Sequence, residues 1–175
     1  MEYIQFSNFQ KKFYQELKNA AKKRKIKLSA EHDIYKKDSP YFYNVWYWLE
    51  EVENDVAIFS LDISIKYHRF DELYYQIIRP EKEFHFTDKL RANSGVLCPA
   101  NFPRMKKSFK CDGSENSIPK LCEDLLNFIN EFYADFLLEI KEKYNNLNGY
   151  YIANKKNEPL LAGLAYLDIG DIDKA

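Results

Sequence analysis

Residues 117–144 read SIPKLCEDLLNFINEFYADFLLEIKEKY and carry the strongest helix signal in the chain. Ser117 can cap a helix, and Pro119 suits a first turn, where a backbone N–H is not needed. At about 1.5 Å per residue, the predicted amphipathic helix would span roughly 40 Å. Its apolar face, at three- and four-residue steps, consists of Leu121, Leu125, Phe128, Ile129, Phe132, Phe136 and Ile140.

The N-terminal region predicts a second amphipathic helix, over residues 7–25. Ser7 and Gln10 have the spacing of a capping box, which marks Ser7 as the start of this helix. The far side is the one strongly basic tract of the chain, and it contains a single acid, Glu16. The apolar positions are Phe6, Phe9, Phe13, Leu17 and Ala20 or Ala21, and the cations are Lys11, Lys12, Lys18, Lys22, Lys23, Arg24, Lys25 and Lys27.

Between these two helices the hydrophobic period changes to two, as in half-buried strands. Residues 26–30 alternate, and residues 42–52 and 56–68 are rich in aromatic and β-branched side chains. The turn sequence at 53–55 joins the last two strands, and a short helix is predicted at 71–78. Consecutive strands joined by short turns favour an antiparallel meander with one face against helices.

Helix, strands and helix in this order are typical of two layers packed around one core. We therefore expect an α+β fold in which an antiparallel β-meander packs against an N-terminal and a long C-terminal helix, with a short helical tail. The compact α+β domain would comprise residues 1–150, and the tail residues 151–175. A chain of 175 residues with 46% hydrophobic side chains is long enough to bury such a core.

Composition and charge indicate the compartment and limit the partners. The net charge of −1 argues against a surface built entirely for nucleic acid or for an anionic membrane. Three cysteines, without a C-x-x-C pair, favour reduced thiols over a disulfide framework. The first residues lack a signal-peptide core, and no apolar run approaches the length of about eighteen that a membrane span needs. We expect a cytoplasmic protein, and its abundant Lys, Asn, Ile and Tyr are typical of an AT-rich bacterial genome.

The sequence contains none of the common metal-binding or cofactor-binding motifs. His32, His68 and His85 form neither an H-E-x-x-H pattern nor an i, i+4 pair, which helical zinc sites use. G-x-S-x-G, G-x-G-x-x-G and P-loop patterns are absent too, and five glycines leave little material for a phosphate loop. We therefore expect no metal and no cofactor.

Three carboxylates are the nearest approach to an acid–base pair. Asp62 lies on a predicted strand, and Asp71, beside Glu72, has the position of a helix cap. These positions have structural explanations, so the sequence predicts no enzyme.

Two regions are candidates for binding. The first is the basic tract of the N-terminal helix, and the second is the loop-like stretch at 86–110, where cations and polar residues are interleaved with Phe102 and Phe109. Loops held by a scaffold are where recognition residues concentrate. The alternative is an ordinary irregular connection and an ordinary solvated helix face. The candidate binding residues are Lys22, Lys23, Arg24, Arg91, Asn93, Arg104, Lys106 and Lys107.

The stretch at 159–175, PLLAGLAYLDIGDIDKA, resembles half of a tetratricopeptide repeat. Pro159 and Ala162 depart from that pattern, which usually has an aromatic residue and Leu there. The resemblance implies a helical hairpin used for packing or protein binding, with a second helix after Asp171 that is too short to be stable alone. The matching residues are Gly163, Ala165, Tyr166, Leu167, Ile169, Gly170, Asp171 and Ala175.

Binding fits these observations better than catalysis. We expect a non-catalytic bacterial protein that binds another protein and no membrane, for which an immunity protein neutralising a toxin is a fitting class. The alternative is a nucleic-acid-binding module that uses the basic helix 11–27, since each cation on one face can neutralise a phosphate.

Overall fold

A computed structural model of the chain describes residues 3–28, 33–38, 41–52, 56–78 and 105–175. Both helices and strands occur there, as the α+β prediction requires in its coarse form. The helices are α1 (Tyr3–Lys23), α2 (His68–Ile78), α3 (Ile118–Tyr144), α4 (Leu147–Ala153) and α5 (Pro159–Asp168). The strands are β1 (Lys27–Leu28), β2 (Asp33–Asp38), β3 (Tyr41–Val52), β4 (Val56–Tyr67) and β5 (Met105–Lys110).

The strands follow one another across a five-stranded sheet in the order β1-β2-β3-β4-β5. β1 and β2 are antiparallel, with Lys27 opposite Tyr35. β4 and β5 are also antiparallel, and Asp62 lies opposite Lys106 in their register. These two pairings define the register at the two edges of the sheet, and an antiparallel meander through all the strands stays a prediction.

The two long helices are confirmed, because their apolar stripes are buried. Phe13, Leu17 and Ala21 are buried along α1, and Leu125 and Ile129 along α3. The helical pattern of α1 continues back past Ser7, which therefore lies inside the helix. The prediction that Ser7 caps this helix is wrong.

Three local predictions need correction. Asp71 lies in the first turn of α2 and is fully buried, so it is not the cap before the helix. Residues 105–110, expected to belong to a loop, form β5 because they pair with β4. α4 begins at Leu147, where the sequence predicted only the end of the preceding helix.

The chain divides into two compact units. The first contains the described residues of Met1–Lys36, Asn44–Ser64 and Pro103–Phe132. In its core the rings of Phe13 and Tyr47 meet edge to face, with centroids 5.9 Å apart. The predicted boundary between residues 150 and 151 stays a prediction.

The second unit contains the described residues of Lys37–Tyr43, Ile65–Phe102 and Tyr133–Ala175. A series of aromatic rings in contact with one another lies within this second unit. The centroid of Tyr67 lies 5.6 Å from that of Tyr41 and 4.9 Å from that of Phe70. Phe70 in turn lies 5.4 Å from Tyr151 on α4. Aromatic pairs at such distances are favourable beyond the area they bury, so these rings join the end of β4 to α2 and α4.

Two asparagines make the sharp link between α3 and α4. Asn145 has a left-handed backbone with φ of 67°, a conformation that Asn tolerates better than most residues. The side chain of Asn146 caps α4 by accepting a hydrogen bond of 2.9 Å from the backbone N–H of Gly149. A Cβ atom at Gly149 would overlap the carbonyl oxygen of Tyr144, so this close turn requires glycine.

α5 ends at a left-handed glycine. Gly170, with φ of 82°, donates its N–H to the carbonyl of Leu167 at 3.1 Å, and Asp171 donates to that of Tyr166 at 2.9 Å. This pair of bonds is a Schellman motif, which satisfies carbonyls at a helix end. Beyond it, where the repeat resemblance implies a second helix, the chain forms a three-residue 3-10 turn, Ile172–Lys174. The resemblance itself stays a prediction.

None of the helices in the described ranges is both long enough and apolar enough to cross a membrane.

Candidate interaction surface

Between Val45 and Trp48, β3 alternates buried and exposed side chains, and the buried Asn44 limits the exposed row at its start. Val45 and Tyr47 are buried, whereas the side chains between and beside them, Trp46 and Trp48, are 56% and 38% exposed. Successive side chains of a strand point to opposite faces, so the two tryptophans share one face. Because Tyr47 packs against Phe13 of α1, that face is the one turned away from α1.

Glu50 continues this exposed row at the next alternate position of β3. It accepts a hydrogen bond from the indole Nε1–H of Trp48. This bond satisfies the polar edge of the indole while leaving the ring substantially exposed. The row Trp46, Trp48 and Glu50, which we call the tryptophan face, therefore combines aromatic surface with negative charge.

The sequence around this row is strongly acidic. Residues 38–65 contain six carboxylates and no Lys, Arg or His. Two cations, Lys36 and Lys37, directly precede this segment on β2, the neighbour of β3 in the sheet. On the other side, Lys106 of β5 lies opposite Asp62 of β4 in the strand register. The acids are Asp38, Glu50, Glu51, Glu53, Asp55 and Asp62.

The predicted basic tract lies on α1 only as far as Lys23, so the basic helix predicted over residues 11–27 is shorter than expected. Arg24 and Lys25 follow the helix, and Lys27 lies on β1.

Two cations of this tract form ion pairs. Lys12 pairs with Glu115, and Arg24 pairs with Glu123 of α3. Arg24 is therefore used in packing α1 against α3, which sequence reasoning did not anticipate. Lys22 and Lys23 are exposed in the last turn of α1.

The other predicted binding residues lie at different places in the chain and do not form one group. The ammonium of Lys107 lies 4.1 Å from the ring centroid of Phe128 on α3, a cation–π contact on the helix-facing side of β5. Lys106 lies on β5, with its side chain outside the described part of the structure. Arg91, Asn93 and Arg104 lie outside the described residues. Lys107 and Arg24 both contact α3, at Phe128 and at Glu123 respectively.

A shallow cavity of about 250 Å³ lies beside the start of α3. Its polar lining is engaged in local bonds: Asp112 accepts from the N–H and hydroxyl of Ser114, which holds the pKa of the Asp112 carboxyl below its usual value. Lys120 pairs with Asp124 on the same helix. These contacts are those of a local side-chain turn and of a solvated helix face.

In the described part of the chain, no side-chain cluster suits a metal ion, and the buried thiol of Cys122 does not suit a nucleophilic role. No group of three or more His, Cys, Asp or Glu side chains converges there. Burial, and then the charges of Glu16 and Glu123, raises the pKa of the Cys122 thiol to about 12. Since the thiolate is the nucleophile, Cys122 stays protonated and unreactive at neutral pH.

Asp168 organises a polar cluster in the second unit that the sequence did not predict. It accepts hydrogen bonds from Asn148 at 2.8 Å and from Nε of Arg69 at 3.2 Å. Arg69 also pairs with Glu72 at 3.3 Å. Burial, and then the charge of Asp168, raises the pKa of Tyr67, whose hydroxyl lies 3.5 Å from that carboxylate. The cluster attaches the end of α5 to α2 and α4.

No family model, curated protein or solved structure matches the chain. The tryptophan face is the feature that sequence reasoning missed, although its signal was present: Trp46, Trp48 and Glu50 alternate along a predicted strand.

Proposed function

We propose that the chain is a non-catalytic bacterial protein that acts by binding another protein, and that an immunity protein neutralising a toxin is the class that fits best. The observation that carries this proposal is the exposure of Trp46 and Trp48 side by side on β3. Binding of this kind needs a rigid, patterned surface and no reacting group.

The energetics of interfaces support this interpretation. Tryptophan is among the residues most enriched at the few positions that dominate binding energy, because it removes a large apolar area from water when it is covered. Adjacent exposed tryptophans on an isolated surface are unfavourable for solubility. A partner that covers them would bury both rings within one contact.

Two finer features belong to the same proposal. The pairings at both edges of the sheet are antiparallel, which supports a meander through all its strands and hence a continuous rigid face. Three cysteines without a C-x-x-C pair support the reducing cytoplasm as the compartment.

Affinity capture from a lysate of the host would test the function. The chain itself would be compared with Trp46→Ser/Trp48→Ser and with a control, Ile77→Ser/Leu138→Ser, which changes exposed apolar residues elsewhere. We expect a protein that the parent chain and the control retain and the tryptophan variant loses. The purified chain and the captured protein should then bind each other in a calorimetric titration, and the tryptophan variant should not bind. Failure to retain any such protein at any salt concentration would contradict the proposal.

The second candidate is a nucleic-acid-binding module, and the exposure of Lys22 and Lys23 at the end of α1 favours it. Phosphate contacts release counterions, so affinity for DNA or RNA must then fall steeply with salt. Titration of the parent chain and of Lys22→Glu/Lys23→Glu at two salt concentrations would distinguish this candidate. Affinity that is unchanged by salt or by the variant would count against it.

A further inference from the structure

We infer that the tryptophan face of β3 binds arginine side chains on a basic protein surface. This inference rests on the proposed function and adds the chemistry of the partner to it. The juxtaposition that carries it is two exposed indoles beside an exposed carboxylate, in a segment without any cation.

The aromatic part of the face suits a planar cation. Among side chains, the face of tryptophan attracts cations most strongly, and a guanidinium can lie flat against it. Alternate residues on a strand are separated by about 6.8 Å, twice the rise per residue. Trp46 and Trp48 therefore offer neighbouring rings to one or two such groups.

The carboxylate part supplies the matching charge. An ionised carboxylate has about four sites that accept hydrogen bonds, and the Nε1–H of Trp48 occupies one at Glu50. The remaining sites can accept from the N–H groups of a guanidinium lying on the adjacent indole. The same bond fixes the indole beside the carboxylate, so both parts of the face are positioned before a partner arrives.

Charge disfavours two other classes of binding partner. Nucleobases also stack on tryptophan, but their phosphates would lie beside the exposed carboxylate of Glu50. A second copy docked through the same face would bring two such carboxylates together, which repel each other. A basic protein surface gains from the same charges, since opposite potentials across an interface speed association and select the partner.

Intrinsic fluorescence can test this inference directly, because Trp46 and Trp48 are the only two tryptophans in the chain. The probe is a synthetic peptide of alternating Gly and Arg, and the matched peptide has Gln in place of Arg. We expect a saturable change in tryptophan emission with the Arg peptide and at least tenfold weaker binding of the Gln peptide. Equal binding of the two peptides, or no saturable change with the Arg peptide, would overturn the inference.

Variants locate the effect on the face. Glu50→Gln and Trp46→Phe should each weaken binding of the Arg peptide by about two- to fivefold, the range expected for an exposed cation–π or charge contact. Glu131→Gln removes an exposed carboxylate from α3 and should leave the affinity unchanged. An equal loss of affinity in Glu131→Gln would mean that only the net charge of the protein matters, and the assignment of the binding site to the tryptophan face would be wrong.

Two further measurements test whether the tryptophan face binds nucleic acid or a second copy of the chain. Saturable binding of oligothymidine without binding of the Arg peptide would replace the inference with a nucleic-acid face. A concentration-dependent dimer that Trp46→Ser/Trp48→Ser abolishes would replace it with self-association. If capture of a protein depends on the tryptophans but the Arg peptide does not bind, the proposed function stands and this inference fails. If capture does not depend on them, the proposed function fails, and the peptide result still decides the inference.

Discussion

At the scale of single residues, two helical glycines are expected to respond oppositely to an added methyl group. Gly149→Ala should cost about 1–3 kcal/mol in the free energy of unfolding, because its Cβ would overlap the carbonyl oxygen of Tyr144. Gly163→Ala should stabilise α5 by about 0.5–1 kcal/mol, since Ala is the better helix former and its Cβ would lie 3.8 Å from the nearest atom, in Ala175. Urea unfolding of the two variants measures both changes, and changes of equal sign would contradict this account.

The two described thiols should differ in reactivity. Cys122 is buried with a pKa of about 12, whereas Cys111 is half-buried beside the start of α3. With iodoacetamide at pH 8, we expect Cys111 to be alkylated first and Cys122 only after denaturant is added. Peptide mass spectrometry after timed quenching separates the two sites. Labelling of Cys122 at the rate of Cys111 in the native protein would show that its burial is transient.

At the scale of elements, Asp168 is expected to hold α5 in place. Its side chain is only 14% exposed and accepts from Arg69 and Asn148, so Asp168→Ala should cost about 1.5–3 kcal/mol. Asp171→Ala, which removes an exposed pair with Lys174 in the next turn, should stay within about 0.5 kcal/mol. Both changes in the free energy of unfolding can be measured from the urea midpoints, provided that the dependence of free energy on urea concentration stays the same. A comparable loss in the two variants would assign the effect to general charge at the end of α5.

The elements differ in how far their sequences predict them. α1 and α3 were predicted because each carries an apolar stripe through many turns, and a long periodic pattern outweighs local propensity. β5 was missed because its sequence, MKKSFK, is mostly polar and its conformation depends on pairing with β4. α4 was missed because a seven-residue helix has little period of its own, and the asparagines that end α3 also start it.

At the scale of the whole molecule, stability should fall as the pH rises above about 9. Burial raises the pKa of Cys122 from 9.0, and that of Tyr150 from 10.0, to about 12 in each case. Between these values the unfolded chain releases protons that the native state retains, so alkali favours unfolding. The slope for Cys122 can approach about 1.4 kcal/mol per pH unit, and partly exposed Tyr150 contributes less.

Denaturant unfolding at a series of alkaline pH values would measure this loss. Cys122→Ala removes one of the two groups, so its free energy of unfolding should decline less steeply with pH than that of the parent chain, whatever its value at neutral pH. Tyr150→Phe should act in the same direction. A slope unchanged by both substitutions would mean that other groups control the alkaline transition.

The candidate site was predicted less well than the fold, and the overall charge shows why. A net charge of −1 conceals the segregation of cations on α1 from the carboxylates of residues 38–65. The candidate binding residues were mostly cations, and the structure uses two of them, Arg24 and Lys107, in contacts with α3. Which face of β3 a helix covers is a tertiary property, so alternation alone could group Trp46 with Trp48 but not expose them.

The link between α3 and α4 also bears on how the protein ages. An asparagine followed by glycine loses its amide readily when the glycine nitrogen is able to attack the side-chain carbonyl. At Asn148 and Gly149 that nitrogen donates to Asn146 at 2.9 Å, while the Asn148 amide donates to Asp168 at 2.8 Å. The fold thus holds both reacting groups in hydrogen bonds with other residues. Deamidation at Asn148 should therefore be slow in the stored native protein and accelerate once α4 melts, which would make isoaspartate at this position a chemical record of past unfolding.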